Sequence, residues 1–314
     1  MSSSWLPGAR RGGRRARVRV ATLGILLLVL LPVPLPAPDG VAAAAGGGAA
    51  RPGGSGPVDV LYAGSLLTLV RGDVAPAFHA ATGYTLTGVA AGSKALAADI
   101  GGGLQRADVF VSAAPSVDRS LEGRAGGGWV SWYATFASSP LVLAYDRRSP
   151  FAAQLRRRPW YRVVTEPGFR LGRTDPTVDP KGALAVTALD RAARTEHDPA
   201  LRSLTSSTAG VFPEQTLVGR LQSGQLDAGF FYGVEAAAAR LPTVPLAGVH
   251  LAGRYTVTVV NRAPHPAAAR ALVAWLLGRH GRKTMKKNGL VPVVPPRLSG
   301  DRAAVPPSLR KVLR

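Results

Sequence analysis

The sequence contains no cysteine among its 314 residues. This absence excludes disulfide bonds, thiolate metal sites and cysteine nucleophiles. It also excludes a lipoprotein, because lipid attachment behind an export signal requires a cysteine. Aromatic residues make up only 6% of the chain.

Acidic residues are also scarce, since 18 Asp and Glu stand against 39 Lys and Arg, a formal net charge of +21. The excess persists when the first 50 residues, with six arginines and one aspartate, are set aside. A basic balance favours nucleic acid, anionic lipid or small anions as partners, although an arginine-rich codon bias would give the same balance. No zinc-finger spacing or RNA-binding aromatic signature accompanies the cations, so we expect no nucleic-acid partner.

A long hydrophobic run is missing as well. The N-terminal apolar run, 20–31, is too short for a comfortable membrane span. It follows the basic stretch "RRGGRRARVRV" and precedes prolines and small residues, a pattern typical of a secretory leader. We therefore predict a signal peptide or membrane anchor over residues 1–45, exported by the Sec or the twin-arginine route, and a flexible linker over 46–57. The expected location is extracytoplasmic.

Strands and helices alternate from Val58 onward. The segments "VDVLYAG", "YTLTGVAAG" and "ADVFVSAA" have strand character, and a helical pattern follows each of them. This alternation predicts an α/β fold of two lobes, each a mostly parallel sheet flanked by helices, joined by two crossing segments. We assign 58–137 and 252–300 to lobe 1 and 138–251 to lobe 2. The final segment, 291–314, is rich in proline and arginine and is predicted to lie on the surface as an arm, of which 301–314 form a basic, proline-rich tail.

Two of the predicted strands end in a Gly-Ser pair, Gly64-Ser65 and Gly92-Ser93. Such a corner leaves backbone N–H groups and one hydroxyl facing outward, which fills a core poorly but suits an anion. In open α/β sheets, ligands lie beyond the carboxyl ends of strands, at helix N-termini. Taken alone, both serines are more simply interpreted as helix caps, with Ser93 at the N-cap position.

An ordered set of motifs spans 58–295 and makes the interpretation more specific. The motifs are "AGSL", "AAGSKALAADI", "ADVFVSAAPS", "FASSPLVLAY", "GRTDPTVDPKG", "FPEQTLVGRLQSGQLDAGFFY" and "GRKTMKKNGLVPV". In this order they resemble the periplasmic molybdate/tungstate-binding proteins of ABC importers, a group of bilobal substrate-binding proteins. The resemblance implies capture of an oxyanion between the lobes and delivery to a membrane permease, without catalysis and without a cofactor.

The same resemblance implies which residues bind the oxyanion. They are Gly64, Ser65, Ser93, Asp179, Pro180, Lys181, Glu214 and Tyr232. Members of the family usually have a cysteine where this chain has Lys181. If only the backbone binds there, little changes, whereas an inward-pointing lysine would add a positive charge. Asp175 is a second candidate for the role given to Asp179.

The chemistry of a tetrahedral dianion fits most of these residues. Its oxygens accept hydrogen bonds, and the hydroxyls of Ser65, Ser93 and Tyr232 can donate them, as can N–H groups at helix N-termini. Asp179 and Glu214 would repel a dianion unless they are protonated, or unless their oxygens approach the metal centre and expand its coordination. The second option discriminates against sulfate and phosphate. We expect both acids within coordinating reach of the molybdenum or tungsten.

Other functions stay open at this point. The ligand could be sulfate, phosphate or a small carboxylate, and the sequence does not rank molybdate against tungstate. A serine-type hydrolase using Ser65 is a further alternative, although no Gly-x-Ser-x-Gly elbow or Ser-x-x-Lys partner is present. The five histidines are dispersed, so we expect no metal site built on them. Glu235 is interpreted as a solvated helix charge, and the protein is expected to be a monomer.

Overall fold

The computed structural model describes residues 53–314, so the predicted leader and most of the predicted linker lie outside the described residues. The strands are β1 (Pro57–Ala63), β2 (Thr85–Ala91), β3 (Val109–Ser112), β4 (Trp132–Tyr145), β5 (Leu171–Gly172), β6 (Ala228–Tyr232), β7 (Thr243–Pro245), β8 (Ala252–Val259) and β9 (Val291–Gly300). Over 53–314, no helix combines the length and the apolar character that a membrane crossing requires.

The helices surround these strands. They are α1 (Leu67–Leu69), α2 (Ala75–Thr82), α3 (Ser93–Gly101), α4 (Pro115–Arg119), α5 (Ala152–Arg157), α6 (Trp160–Val163), α7 (Pro180–Thr195), α8 (Pro199–Ser206), α9 (Glu214–Gln222), α10 (Gly233–Ala238), α11 (Pro266–Leu277) and α12 (Arg279–Lys287). The 3₁₀ turn Gly64–Leu66 and the π turn Val70–Val74 flank α1.

The strands pair in the order β2-β1-β3-β8-β4-β6-β5, and β7 and β9 also pair with β4. In the first half of the molecule, β1 is parallel to β2 and β3, while β8 is antiparallel to β3. In the second half, β5 is parallel to β6. The long strand β4 belongs to both halves, because 132–140 pair with β8 and β9 and 141–145 pair with β6 and β7. The predicted two-lobed α/β fold class is confirmed.

Local sequence signals set where the helices begin and end. Proline occupies the first position of α4, α7, α8 and α11, where its missing N–H costs nothing. Asp179 precedes α7, and its side chain accepts a hydrogen bond from the N–H of Lys181, which is an N-cap. Gly83 ends α2 with a φ of 82°, as its position in the sequence predicts.

The core follows the sheet through both halves. One continuous cluster of buried side chains includes Val60 and Val257 in the first half and Leu143 and Phe230 in the second. Strand β6 is buried along its whole length because helices cover it on both faces. The halves are therefore joined by packed side chains as well as by the chain itself.

The C-terminal region differs from its prediction. The proline-rich segment after residue 290 forms strand β9, antiparallel to β4, instead of lying on the surface as an arm. Pro292 and Pro295 are tolerated because β9 is an edge strand, where a missing N–H breaks no ladder. In the tail 301–314, Val305, Leu309 and Leu313 are buried against the core. Most of the tail is exposed, but these three apolar residues, which stand among prolines and arginines in the sequence, anchor it to the core.

A buried carboxylate in the first half predicts a pH-dependent stability. Asp118 in α4 accepts hydrogen bonds from Ser112 and Thr256, yet burial raises its pKa from 3.8 to about 7. Because the folded-state pKa is raised, the free energy of unfolding should fall as the pH increases through 7. We expect Asp118→Asn to stabilise the protein by roughly 2–4 kcal/mol at pH 9 and to have little effect near pH 4.

Denaturant unfolding at several pH values measures this effect. The exposed Asp301 provides the control, since Asp301→Asn should leave the pH profile of stability nearly unchanged. A stability gain from Asp118→Asn that is equal at pH 4 and pH 9 would contradict the prediction.

Candidate functional site

The two predicted Gly-Ser corners face acidic residues from the second half of the molecule. A Cβ atom on Gly64 would lie 2.3 Å from Oε2 of Glu214. A Cβ atom on Gly92 would lie 2.6 Å from the carbonyl oxygen of Val178 and 3.2 Å from Cβ of Asp179. Only glycine permits such close approaches. The structure therefore brings both corners together with both predicted acids.

Lys181 is completely buried, and its charged amine contacts the side chains of Glu214 and Glu235. We call these three residues the buried cluster. The Nζ of Lys181 lies 2.7 and 2.9 Å from the two carboxylate oxygens of Glu235 and 3.2 Å from Oε1 of Glu214. Burial alone would lower the pKa of Lys181, but the charges of Glu235, Glu214 and Asp179 raise that pKa above its usual value. The lysine is therefore a cation whose side chain, and not only its backbone, belongs to the site.

The prediction that Glu235 is a solvated helix charge is wrong. It is 7% exposed, because α10 begins at Gly233, directly after the buried end of β6, and its first turn faces inward. Burial raises the pKa of Glu235, while Lys181 lowers it. The sequence offers no signal for this ion pair, since its partners are 54 residues apart.

The two predicted acids are buried and only partly satisfied. Oδ1 of Asp179 accepts a hydrogen bond of 2.9 Å from the N–H of Lys181. Glu214 is the first residue of α9, and burial, followed by the charge of Asp179, raises its pKa to about 8. Among the described residues, Oδ2 of Asp179 and Oε2 of Glu214 have no hydrogen-bond partner. Such buried orphan atoms are rare and call for an explanation.

Hydroxyl groups from both halves lie beside the acids. The Oγ of Ser65 is 3.0 Å from the phenol oxygen of Tyr255. The rings of Tyr255 and Tyr232 pack edge to face with centroids 5.9 Å apart. The hydroxyl of Tyr232 is buried and has no hydrogen-bond partner within 53–314. Tyr255 was not predicted, because the alternation of β8 does not distinguish a site tyrosine from a core tyrosine.

Ser93, the second predicted serine, does not occupy the predicted N-cap position. Ser93 is the first residue of α3 and Gly92 occupies the N-cap position. The Oγ of Ser93 accepts a hydrogen bond of 3.1 Å from the N–H of Ala113. Its own proton is therefore free to be donated.

Direct hydrogen bonds join the two halves at the rim of this site. They run from the N–H groups of Lys94 and Ala95 to the carbonyl of Val178 (3.1 and 3.2 Å), from Nζ of Lys94 to the carbonyl of Pro176 (2.7 Å) and from Nε2 of Gln215 to the carbonyl of Ala90 (2.9 Å). We call these four bonds the rim bonds. Two N–H groups at the start of α3, which we expected to donate to an anion, therefore already have an acceptor.

A cavity of about 370 Å³ opens next to the rim bonds, and its lining includes Gly92, Asp179, Phe212 and Glu214. Asp175, the second candidate acid, accepts hydrogen bonds from the N–H and Oγ of Thr177 (2.8 and 2.7 Å) and so shapes its own loop. The geometry favours Asp179 over Asp175, because Asp179 contacts the buried cluster.

One histidine does lie in a cluster of potential metal ligands. Nδ1 of His265 is 2.9 Å from Oδ2 of Asp108 and 3.7 Å from Oδ2 of Asp59. The carboxylate of Asp108 already accepts hydrogen bonds from the N–H groups of Asp59 and His265. The cluster therefore ties β1 to the start of α11. Its other two members are aspartates, so the histidines are dispersed as the sequence indicates, while His265 meets carboxylates from distant segments.

Comparison with known proteins decides the family. Residues 58–291 match the model of the family described as bacterial extracellular solute-binding protein. The chain belongs to this family. The prediction of a binding protein instead of an enzyme is thereby confirmed, and the solute-binding protein belongs to a group that acts outside the cytoplasm.

Curated relatives of this solute-binding protein share low sequence identity with it. An uncharacterized solute-binding protein of Petrotoga mobilis is 26% identical over 278 residues, covering 77% of this chain and 85% of its own length. A putative ABC transporter molybdenum-binding protein of Haloferax volcanii is 30% identical over 177 residues, covering 56% of this chain and 54% of its own length. A molybdate/tungstate-binding protein, WtpA, of Pyrococcus abyssi is 22% identical over 225 residues, covering 55% of this chain and 65% of its own length.

Solved structures agree on the fold. The periplasmic molybdate-binding protein of Azotobacter vinelandii aligns with a TM-score of 0.60 and 21% identity, over 74% of this chain and 98% of that one. The sulfate-binding protein SubI of Mycobacterium tuberculosis aligns with a TM-score of 0.60 and 17% identity, over 76% of this chain and 88% of that one. At these identities the similarity establishes the fold of periplasmic binding proteins and not the solute.

Proposed function

We propose that this solute-binding protein captures molybdate or tungstate between its two halves and delivers it to the permease of an ABC importer. The observation that carries the proposal is that the site contains both buried acceptors and a buried donor without hydrogen-bond partners. Two buried carboxylate oxygens, from Asp179 and Glu214, and one buried phenol, from Tyr232, have no partner among the described residues. A ligand that offers an electrophilic centre as well as hydrogen-bond acceptors satisfies all three.

A metal oxyanion has both properties. Its oxo groups accept hydrogen bonds, which the hydroxyls of Tyr232, Ser65 and Ser93 can donate. Its metal centre can take additional oxygen ligands, for which Asp179 and Glu214 present their orphan oxygens. Sulfate and phosphate also offer acceptors, but their central atoms take additional oxygen ligands far less readily. The carboxylates would therefore be repelled by the oxygens of these anions.

The charges around the site make this proposal physically reasonable. Glu235 and Lys181 form a buried ion pair, and Lys181 also holds Oε1 of Glu214. One oxygen of Glu214 is thus fixed by the lysine, while Oε2 is directed at the Gly64 corner. The names of the Haloferax and Pyrococcus relatives support the solute, and the Haloferax name, which includes an ABC transporter, supports delivery to an importer.

Sulfate or phosphate is the second candidate, and the state of Glu214 favours it. Because burial and Asp179 raise the pKa of Glu214 to about 8, this side chain can be a neutral acid at pH 7. A neutral carboxylic acid donates a hydrogen bond to an oxyanion without any coordination to its central atom.

Calorimetric titration of the purified protein tests the proposal. We expect molybdate and tungstate to bind with sub-micromolar dissociation constants. The three hydroxyl donors contribute roughly 1.5–3 kcal/mol each as charge-assisted hydrogen bonds, and the two carboxylate ligands add to this, against the ~8 kcal/mol of micromolar affinity. Sulfate and phosphate should bind at least about 100-fold more weakly, a difference of ~2.7 kcal/mol. Silence toward the metal oxyanions, with a clear signal from sulfate or phosphate, would establish the second candidate.

A further inference from the structure

Ser65 has a hydrogen-bond partner whose role the proposed function does not explain. Both Ser65 and Tyr255 are buried, and their oxygens lie 3.0 Å apart. They come from distant parts of the chain, because Ser65 follows β1 whereas Tyr255 lies in β8, 190 residues later. A single hydrogen bond between two hydroxyls can run in either direction, and its direction decides which proton is left for a ligand.

The other serine of the site provides a comparison. The Oγ of Ser93 accepts from the N–H of Ala113, and a backbone N–H can only donate. The Ser93 hydroxyl is thus left with its own proton to donate to an oxyanion. The two serines follow equivalent Gly-Ser corners, so an equivalent donor to Ser65 would prepare both hydroxyls in the same way.

We propose that Tyr255 is a positioning residue that donates its phenol proton to Oγ of Ser65 and thereby directs the serine proton to the bound oxyanion. The inference rests on the proposed function, because it concerns the oxyanion held at the same corner. Tyr255 need not contact the solute, since it acts through Ser65. Its ring is fixed for this task by the edge-to-face contact with Tyr232 and by complete burial.

A double-mutant cycle at Tyr255 and Ser65 tests the inference. Tungstate dissociation constants are measured by calorimetry for the wild type, Tyr255→Phe, Ser65→Ala and the double variant. We expect Tyr255→Phe to weaken binding roughly three- to tenfold, as the loss of one hydrogen bond does. The double variant should bind no more weakly than Ser65→Ala alone, because Tyr255 then has no hydroxyl to direct. Effects that multiply in the double variant would overturn the inference.

Two controls separate positioning from general damage. Ser93 is held by a backbone group, so the effects of Ser93→Ala and Tyr255→Phe should multiply. Tyr133 is another buried tyrosine, and its phenol contacts Arg119 instead of the site, so Tyr133→Phe should leave tungstate affinity unchanged. A coupling between Tyr255 and Ser93 as large as that between Tyr255 and Ser65 would also overturn the inference.

A second variant keeps the test decisive if Tyr255→Phe does not fold. Site-specific replacement of Tyr255 by 3-fluorotyrosine preserves the hydroxyl and makes it a stronger donor. Affinity for tungstate should then increase, because a stronger donor polarises the serine hydroxyl. A decrease would overturn the proposed direction of the bond. A wild-type protein that binds none of the four anions would instead refute the proposed function, and the inference with it, before any variant is made.

Discussion

Replacing Glu214 with glutamine is expected to weaken tungstate and molybdate binding by about 100-fold or more, while sulfate binding is retained or improved. The amide preserves the shape of the side chain but cannot serve as an anionic ligand of a metal centre. For sulfate, by contrast, the amide N–H₂ replaces an unfavourable carboxylate with a donor. The ratio of the tungstate and sulfate dissociation constants, measured by calorimetry, reports the outcome directly.

The same variant decides between the two candidate solutes. If Glu214 acts as a neutral donor, glutamine should be an adequate replacement and affinity for the natural anion should change little. Glu166→Gln is the matched control, because Glu166 is paired with Arg158 at the surface and should not affect either anion. Thermal unfolding of the apo form excludes a trivial loss of structure, since removing a buried carboxylate next to Asp179 should not lower the melting temperature.

Replacing Lys181 with methionine is expected to lower the free energy of unfolding by about 3–5 kcal/mol. The lysine is the cation that neutralises Glu235 and contacts Glu214, and all three side chains are buried. Without it, two carboxylates lie in the interior with no compensating charge in contact, and desolvation of each is then uncompensated. Denaturant unfolding of the apo protein at neutral pH measures the loss.

Two further variants show whether the charge itself is responsible. Adding Glu235→Leu to Lys181→Met removes one of the two stranded carboxylates and should recover a large part of the lost stability, since apolar replacements of a buried pair are often well tolerated. Lys287→Met, which breaks the ion pair between an exposed lysine and Asp73, should cost less than ~1 kcal/mol. A loss of that small size for Lys181→Met would contradict the buried-pair interpretation.

Periodicity and turn residues were sufficient to predict the α/β architecture. The alternation of strands and helices, proline at helix starts and the C-cap at Gly83 are local properties, and the structure has them where the sequence indicates. The failure at β9 is also physical. Prolines argue against a strand in the middle of a sheet, but β9 is at an edge, and the sequence does not state which strand will be an edge strand.

Sequence reasoning named only some residues of the candidate site, and the others depend on contacts between distant segments. The Gly-Ser corners, Asp179, Glu214 and Tyr232 could be named because a set of motifs carried them. Glu235 could not, because its burial depends on Lys181 in another helix. Tyr255 could not either, because a strand tyrosine acquires a role only when Ser65, from a remote strand end, meets it.

Under the proposed function, the rim bonds determine part of how firmly an ion would be retained. All four join the two halves through groups of the polypeptide alone, so part of the free energy of closure is independent of the solute. If each contributes ~1 kcal/mol, the protein supplies a few kcal/mol of closure by itself. Changes at Lys94 or Gln215 would then alter the residence time of the ion more than the chemistry of its recognition.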